Sequence, residues 1–305
     1  MNGQGSCMSK PHDSATGIFS RIRIFLEMIK FSHTLFALPF ALTGALLAAR
    51  GIPSLNRLFW IVMAMVGART AAMGLNRLVD AGIDARNPRT SGRALPAGLL
   101  GKGTVAFCVA LAILLLLYAA SRLNPLCLYL APVALFFLVG YSYCKRFTSL
   151  AHVVLGLCLG AAPVGAWIAV RGTVGVPVVL LGLSVLFWVA GFDILYALQD
   201  LEFDRQAHLH SIPVRLGVTG SLWMARLFSL LMIVLLVVVY TLLPVGGYFL
   251  AGILLATLLL VYEHWLLRGG DLGKLDMAFF TMNGYISIII FIATLVDVTV
   301  GKGGA

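Results

Sequence analysis

Nine near-continuous apolar stretches divide this chain, falling at approximately 32–49, 55–75, 104–121, 125–143, 150–170, 175–198, 222–243, 246–267 and 278–299. Each is close to the roughly 20 residues that carry an α-helix across a hydrocarbon core of about 30 Å. Inside lipid the backbone has no water to bond, so a stretch of this kind must satisfy its own amides as a helix. Only 11% of the 305 residues are charged and 60% are hydrophobic, whereas charged residues make up about a quarter of an ordinary soluble domain. The expected fold is all-α: a polytopic membrane protein with nine transmembrane helices packed as one bundle in a lipid bilayer.

The net charge of +10 raises nucleic acid as a partner, but its distribution argues against that. With the amino terminus inside, inner segments hold sixteen Lys and Arg, and outer segments hold five: Arg50, Arg57, Arg122, Arg171 and Lys302. This positive-inside asymmetry places the amino terminus in the cytoplasm. The remaining cation, Arg69, falls within the second stretch. Residues 1–17 are polar and small, without the apolar core of a cleavable signal, and are expected to form a disordered tail. The membrane domain is expected over 18–300, with a short tail at 301–305. The five cysteines, Cys7, Cys108, Cys127, Cys144 and Cys158, lack metal-ligand spacing and read as small buried hydrophobes.

Six of the twelve carboxylates lie in two short segments at the ends of the second and sixth stretches. The first carries Asn76, Asp80 and Asp84; the second carries Asp193, Tyr196, Asp200, Glu202 and Asp204. In each, an Asp pair is spaced i,i+4, which on a helix puts both carboxylates on one face. Such a face repels itself unless a cation sits between the oxygens. One or two carboxylates completed by substrate phosphates is the usual way to hold Mg²⁺. Four crossings separate the segments, so both are expected at the cytoplasmic surface. The spacing Asn76-x-x-x-Asp80-x-x-x-Asp84 recurs as Tyr196-x-x-x-Asp200-x-x-x-Asp204, shifted by 120 residues, which suggests a loose internal duplication. Loops rich in cations follow both, at Arg86–Pro96 and Arg205–Arg215, and a third brings Lys145 and Arg146. Carboxylates for a metal with arginines beside them suit a diphosphate gripped from two sides.

Intramembrane carboxylates also serve proton relays and ion carriers, so a cation-coupled transporter is the alternative function. The acids near one surface and the many interleaved arginines weigh against it. Arg69 lies seven residues before Asn76 and faces the same way, which calls for a structural partner or for a role with substrate in a wet cavity. Lys30 opens the first stretch, either to fix topology or to meet an anionic substrate. His208 and His210 read as solvated, and His152 and His264 as packing or interface residues. Glu202 points away from the paired face. Phe187, Trp188 and Phe192 are candidates for lining an apolar channel.

At these residues the chain resembles the UbiA superfamily of intramembrane prenyltransferases. The resemblance spans about residues 20–300 and rests on both Asp motifs, on Lys145-Arg146 between them, and on the order of the stretches. The segments Phe31–Phe40 and Gly191–Asp200 look most like the 4-hydroxybenzoate polyprenyltransferase branch and its naphthoate-prenylating relatives. It implies an enzyme of the bacterial inner membrane that transfers a polyprenyl group from a polyprenyl diphosphate to an aromatic acid acceptor, 4-hydroxybenzoate or a related dihydroxynaphthoate. The product would serve ubiquinone or menaquinone biosynthesis. It also implies Mg²⁺ held by Asp80 and Asp84 with Asn76, and by Asp200 and Asp204. Lys145, Arg146 and Arg77 would neutralise phosphate charge, and Asp193 or Tyr196 would orient the acceptor or relay its proton.

Overall fold

The computed structural model describes residues 17–29, 34–268 and 282–301. Lys30, Cys7, the expected amino-terminal tail apart from Gly17 and the carboxy-terminal tail apart from Gly301 lie outside the described residues. Among those described the fold is all helix and turn. The elements are α1 (Ile18–Met28), α2 (Thr34–Ala49), α3 (Leu55–Asp84), α4 (Lys102–Leu123), α5 (Pro125–Cys144), α6 (Ala151–Arg171), α7 (Val176–Ala197), a 3₁₀ turn (Leu198–Asp200), α8 (Leu201–Gln206), α9 (Ile212–Leu242), α10 (Gly247–Leu266) and α11 (Asn283–Val300).

Eight helical segments are long and apolar enough to cross a membrane, with α7, the 3₁₀ turn and α8 counting as one. They correspond to eight of the nine expected spans. The ninth, expected at 32–49, falls on α2, of which Ala37–Ala49 is a shorter apolar helix among the described residues. One helix was not expected. In α1 the apolar residues Phe19, Ile22 and Leu26 are exposed at spacings of three and four, while Met28 and Ile29 pack against Ala94, Leu100, Val105 and Val109. A short helix with one bare apolar face has the pattern of an interfacial helix.

The centre of the bundle is α7, with 72% of its most apolar window buried. It packs between α6 and α9, and α2 packs between α6 and α11. Trp188 sits at the heart of this core, with its ring centroid 5.0 Å from that of Phe40 and 5.1 Å from that of Phe192. The core therefore absorbs Trp188 and Phe192, both expected as channel residues. Trp188 also donates from Nε1 to Asn283 Oδ1 at 2.7 Å, which partners an otherwise buried indole.

Small residues set how closely α6 and α7 approach, as is common where helices meet in lipid. A Cβ on Gly156 would fall inside contact distance of the Leu186 carbonyl, and one on Gly160 would meet that of Gly182. Replacing Gly160 with Val is expected to force the helices apart and cost about 1–3 kcal/mol, read as a lower unfolding temperature in detergent. An unchanged unfolding temperature would mean the contact is not tight.

Candidate active site at the ends of the third and seventh helices

The first acid motif closes α3, a continuous helix through Asp84. Asp80 and Asp84 are both buried. On one side Lys145 Nζ donates to Asp80 Oδ2 at 2.6 Å, and the Asn76 amide donates to the same oxygen at 3.0 Å. Arg146 stands 3.6 Å from Asp80 Oδ1 and donates to the Val79 carbonyl at 2.8 Å. On the other side Arg93 Nη1 reaches both oxygens of Asp84 at 2.8 Å. Arg77 is buried, 3.9 Å from Asp84, and donates to the Met28 carbonyl at 3.4 Å.

The second motif is not on one continuous helix. Asp193 and Tyr196 are on α7, Asp200 ends the 3₁₀ turn and Asp204 is on α8. The i,i+4 pair at 200 and 204 thus straddles a change of helical pitch, unlike its counterpart on α3, and the local likeness of the two segments is one of spacing only. Ser211, after α8, caps α9 by accepting from the Val214 amide at 3.3 Å.

The loop after α3 joins the motifs. Thr90 fastens the loop by donating to the Asp84 carbonyl at 3.1 Å. The Asn87 amide donates to Asp200 Oδ1 at 2.9 Å, and Arg89 Nε donates to the same oxygen at 2.8 Å. A second Arg89 nitrogen, Nη2, pairs with Asp200 Oδ2, completing a two-pronged grip. Arg89 Nη1 also donates to the Tyr196 hydroxyl at 3.0 Å. Burial opposes the Arg89 charge, but the bonds to Asp200 and Tyr196 outweigh it and hold the guanidinium's pKa above its usual value. The loop that follows the first acidic segment thus bonds Asp84 through Arg93 and Asp200 through Asn87 and Arg89, joining segments more than 100 residues apart in sequence.

Of the residues singled out from sequence, Asn76, Arg77, Asp80, Asp84, Lys145, Arg146, Tyr196 and Asp200 share this network, and Asp204 follows Asp200 on the next turn. Arg69 is not drawn into it: its Nε is buried without a hydrogen-bond partner among the described residues. Glu202, His208 and His210 are exposed, as expected. Asn87, Arg89 and Arg93 were legible only as members of a basic loop. His152, expected as a packing or interface residue, has its Nδ1 2.7 Å from Asp193 Oδ2.

These residues suit a metal that shares its shell with phosphate. Among the described residues no three His, Cys, Asp or Glu gather to hold an ion alone. The carboxylates instead come in pairs, which leaves ligand positions for substrate oxygens, as Mg²⁺ sites usually do. Asp80 Oδ1 is buried without a hydrogen bond, a hard oxygen with an unused lone pair.

A helical membrane bundle with two acid pairs joined by a basic loop defines a class, and the chain belongs to the UbiA prenyltransferase family, which matches residues 37–285. It is an enzyme, a membrane-embedded prenyltransferase, and the carrier alternative gives way to that class. Among curated relatives, it is 32% identical over 247 residues to a 4-hydroxybenzoate octaprenyltransferase of Tolumonas auensis, covering 80% of this chain and 85% of that one. The enzyme of that name from Francisella tularensis subsp. novicida is 28% identical over 257 residues, covering 84% and 89%. A UbiA homologue from Aeropyrum pernix K1, solved in the apo state, superposes with a TM-score of 0.80 at 31% identity, over 87% of this chain and 98% of that one. An Archaeoglobus fulgidus homologue bound to DMAPP and Mg²⁺ shares the fold, with a TM-score of 0.66 at 18% identity over 87% and 98%.

Proposed function

We propose that this enzyme transfers a polyprenyl group from a polyprenyl diphosphate to a hydroxylated aromatic carboxylate, 4-hydroxybenzoate or a related dihydroxynaphthoate, in quinone biosynthesis. The observation that carries it is the meeting of both acid pairs with Lys145, Arg146, Arg89 and Arg93 at one end of the bundle. The named relatives support the acceptor class, and the positive-inside pattern supports a cytoplasmic site and amino terminus in a bacterial inner membrane. The membrane domain is assigned to 18–300.

Asp80 and Asp84 with Asn76, and Asp200 with Asp204, would hold Mg²⁺, which supplies positive charge against the diphosphate oxygens. The cations now paired with these carboxylates are the ones a diphosphate would recruit, since an arginine fork fits phosphate as well as carboxylate. Lys145, Arg146, Arg89 and Arg93 are thereby fixed near the leaving group. As the allylic C–O bond breaks, charge builds on the diphosphate, and preorganised cations stabilise that transition state more than the ground state. The apolar walls keep water from the allylic cation, and the aromatic carbon ortho to the hydroxyl attacks it.

The test is diphosphate release by purified protein given Mg²⁺ and geranyl diphosphate, with 4-hydroxybenzoate and 1,4-dihydroxy-6-naphthoate offered in parallel. Release that depends on one acceptor is expected; release with neither would overturn the proposal. Replacing Lys145 with Ala removes a charged hydrogen bond, so the KM for the donor should rise by about tenfold or more while that for the acceptor changes little. A larger change for the acceptor would reverse the placement of the two subsites.

A further inference from the structure

His152, in the first turn of α6, is 5% exposed. Its Nδ1 lies 2.7 Å from Asp193 Oδ2, whereas its Nε2 is buried without any hydrogen-bond partner. Buried polar atoms are nearly always bonded, and an exception asks what the atom is for. An ionised carboxylate only accepts, so a neutral imidazole beside Asp193 carries its proton on Nδ1 and presents a lone pair at Nε2. The Asp193 side chain is 20% exposed, so the dyad is accessible from the Asp193 side and buried at His152. Asp193 precedes Asp200 by seven residues, which is roughly 10–12 Å along the axis of α7 and its 3₁₀ extension. That spacing matches the length of an aromatic acceptor placed below a diphosphate held at the Asp200 level. Tyr196, between them, is tied to Arg89 and hence to the diphosphate side.

We propose that His152 Nε2 is the group that receives the hydroxyl of the aromatic acceptor, with Asp193 as the positioning residue that sets its tautomer. The inference rests on the function proposed above and adds the base that it lacks. The acceptor's O–H proton passes to Nε2 as the ortho carbon bonds to the allylic carbon. The C–O bond to the diphosphate breaks, and its electron pair leaves with the diphosphate. The ring hydrogen at the new bond then departs as a proton to the released diphosphate, and His152 returns its proton to the oxygen. This divides the work between two anion-facing layers: cations above for the leaving group, and an Asp–His pair below for the nucleophile.

The test compares the parent full-length protein in lipid nanodiscs with His152→Gln, which keeps much of the bulk and one donor, and with His152→Ala. Acceptor-dependent diphosphate release is measured with geranyl diphosphate and Mg²⁺, and Mg²⁺-dependent geranyl diphosphate binding is measured separately. Loss of a general base predicts a fall in kcat of about a hundredfold or more in both variants, with donor affinity held within about threefold. Added imidazole should restore turnover to His152→Ala and not to His152→Gln. Turnover in either variant within about fivefold of the parent, donor affinity falling in step with kcat, or the same response of both variants to imidazole would each overturn the inference. A parent that releases no diphosphate with either acceptor would remove the proposed function and this inference together. An active parent with active variants removes the inference alone.

Discussion

Asp80→Asn or Asp200→Asn is expected to lower kcat/KM by at least about a thousandfold while the protein remains folded. Asp80 is the shared anchor of Lys145 at 2.6 Å, Asn76 at 3.0 Å and Arg146 at 3.6 Å. Asp200 is where Asn87 and Arg89 cross from one motif to the other. An amide keeps the shape of either side chain but loses the charge that draws both a cation and those partners. Folding should survive, because Lys145 and Arg89 retain roughly a third of their side-chain exposure and can turn to water when their carboxylate is gone. Turnover of either variant within a few-fold of the parent, alongside a normal unfolding curve, would sink the metal assignment.

Chelation of divalent metal is expected to stop turnover, and added Mg²⁺ to restore it, with little change in the unfolding temperature. The second half of that expectation comes from the ion pairs. Lys145 meets Asp80, Arg93 meets Asp84 and Arg89 meets Asp200, so three of the four motif carboxylates have protein counter-ions of their own. Leaving such groups unpaired in a poorly hydrated site would be costly, but the metal-free chain is not obliged to do so. Binding of metal and diphosphate then exchanges partners instead of filling an electrostatic gap. A parallel pair of assays, diphosphate release and thermal unfolding with EDTA, checks both parts. Turnover that persists through chelation would refute the role of the carboxylates as ligands, and unfolding on chelation would refute the counter-ion account.

The long apolar helices and the two acid motifs were legible in the sequence because both depend on local pattern. Hydropathy over about twenty residues and an i,i+4 spacing need no knowledge of the rest of the chain. What pairs with what was less visible. Asn87, Arg89 and Arg93 differ little in sequence context from Arg86, yet among the described residues the Arg86 side chain bonds only back to the Gly82 carbonyl in the last turn of α3. The turn after Asp84 decides which cation points inward. The pairing of His152 with Asp193 follows from the closeness of α6 and α7, set by Gly156 and Gly160, and no single segment reveals it. The break in the second motif was hidden for a related reason: Leu198–Asp200 has the composition of a helix, and only its surroundings tighten it to 3₁₀ pitch.

Arg77 reaches from the buried acid motif to the Met28 carbonyl at the end of α1, and α1 keeps Phe19, Ile22 and Leu26 bare on one side. α1 thus braces the end of α3 that carries the acid motif. For protein engineering this makes the two ends of the chain unequal. A bulky fusion or a surface-tethering tag joined just ahead of Ile18 is expected to disturb Arg77 and through it Asp84, more than the same cargo attached beyond Val300.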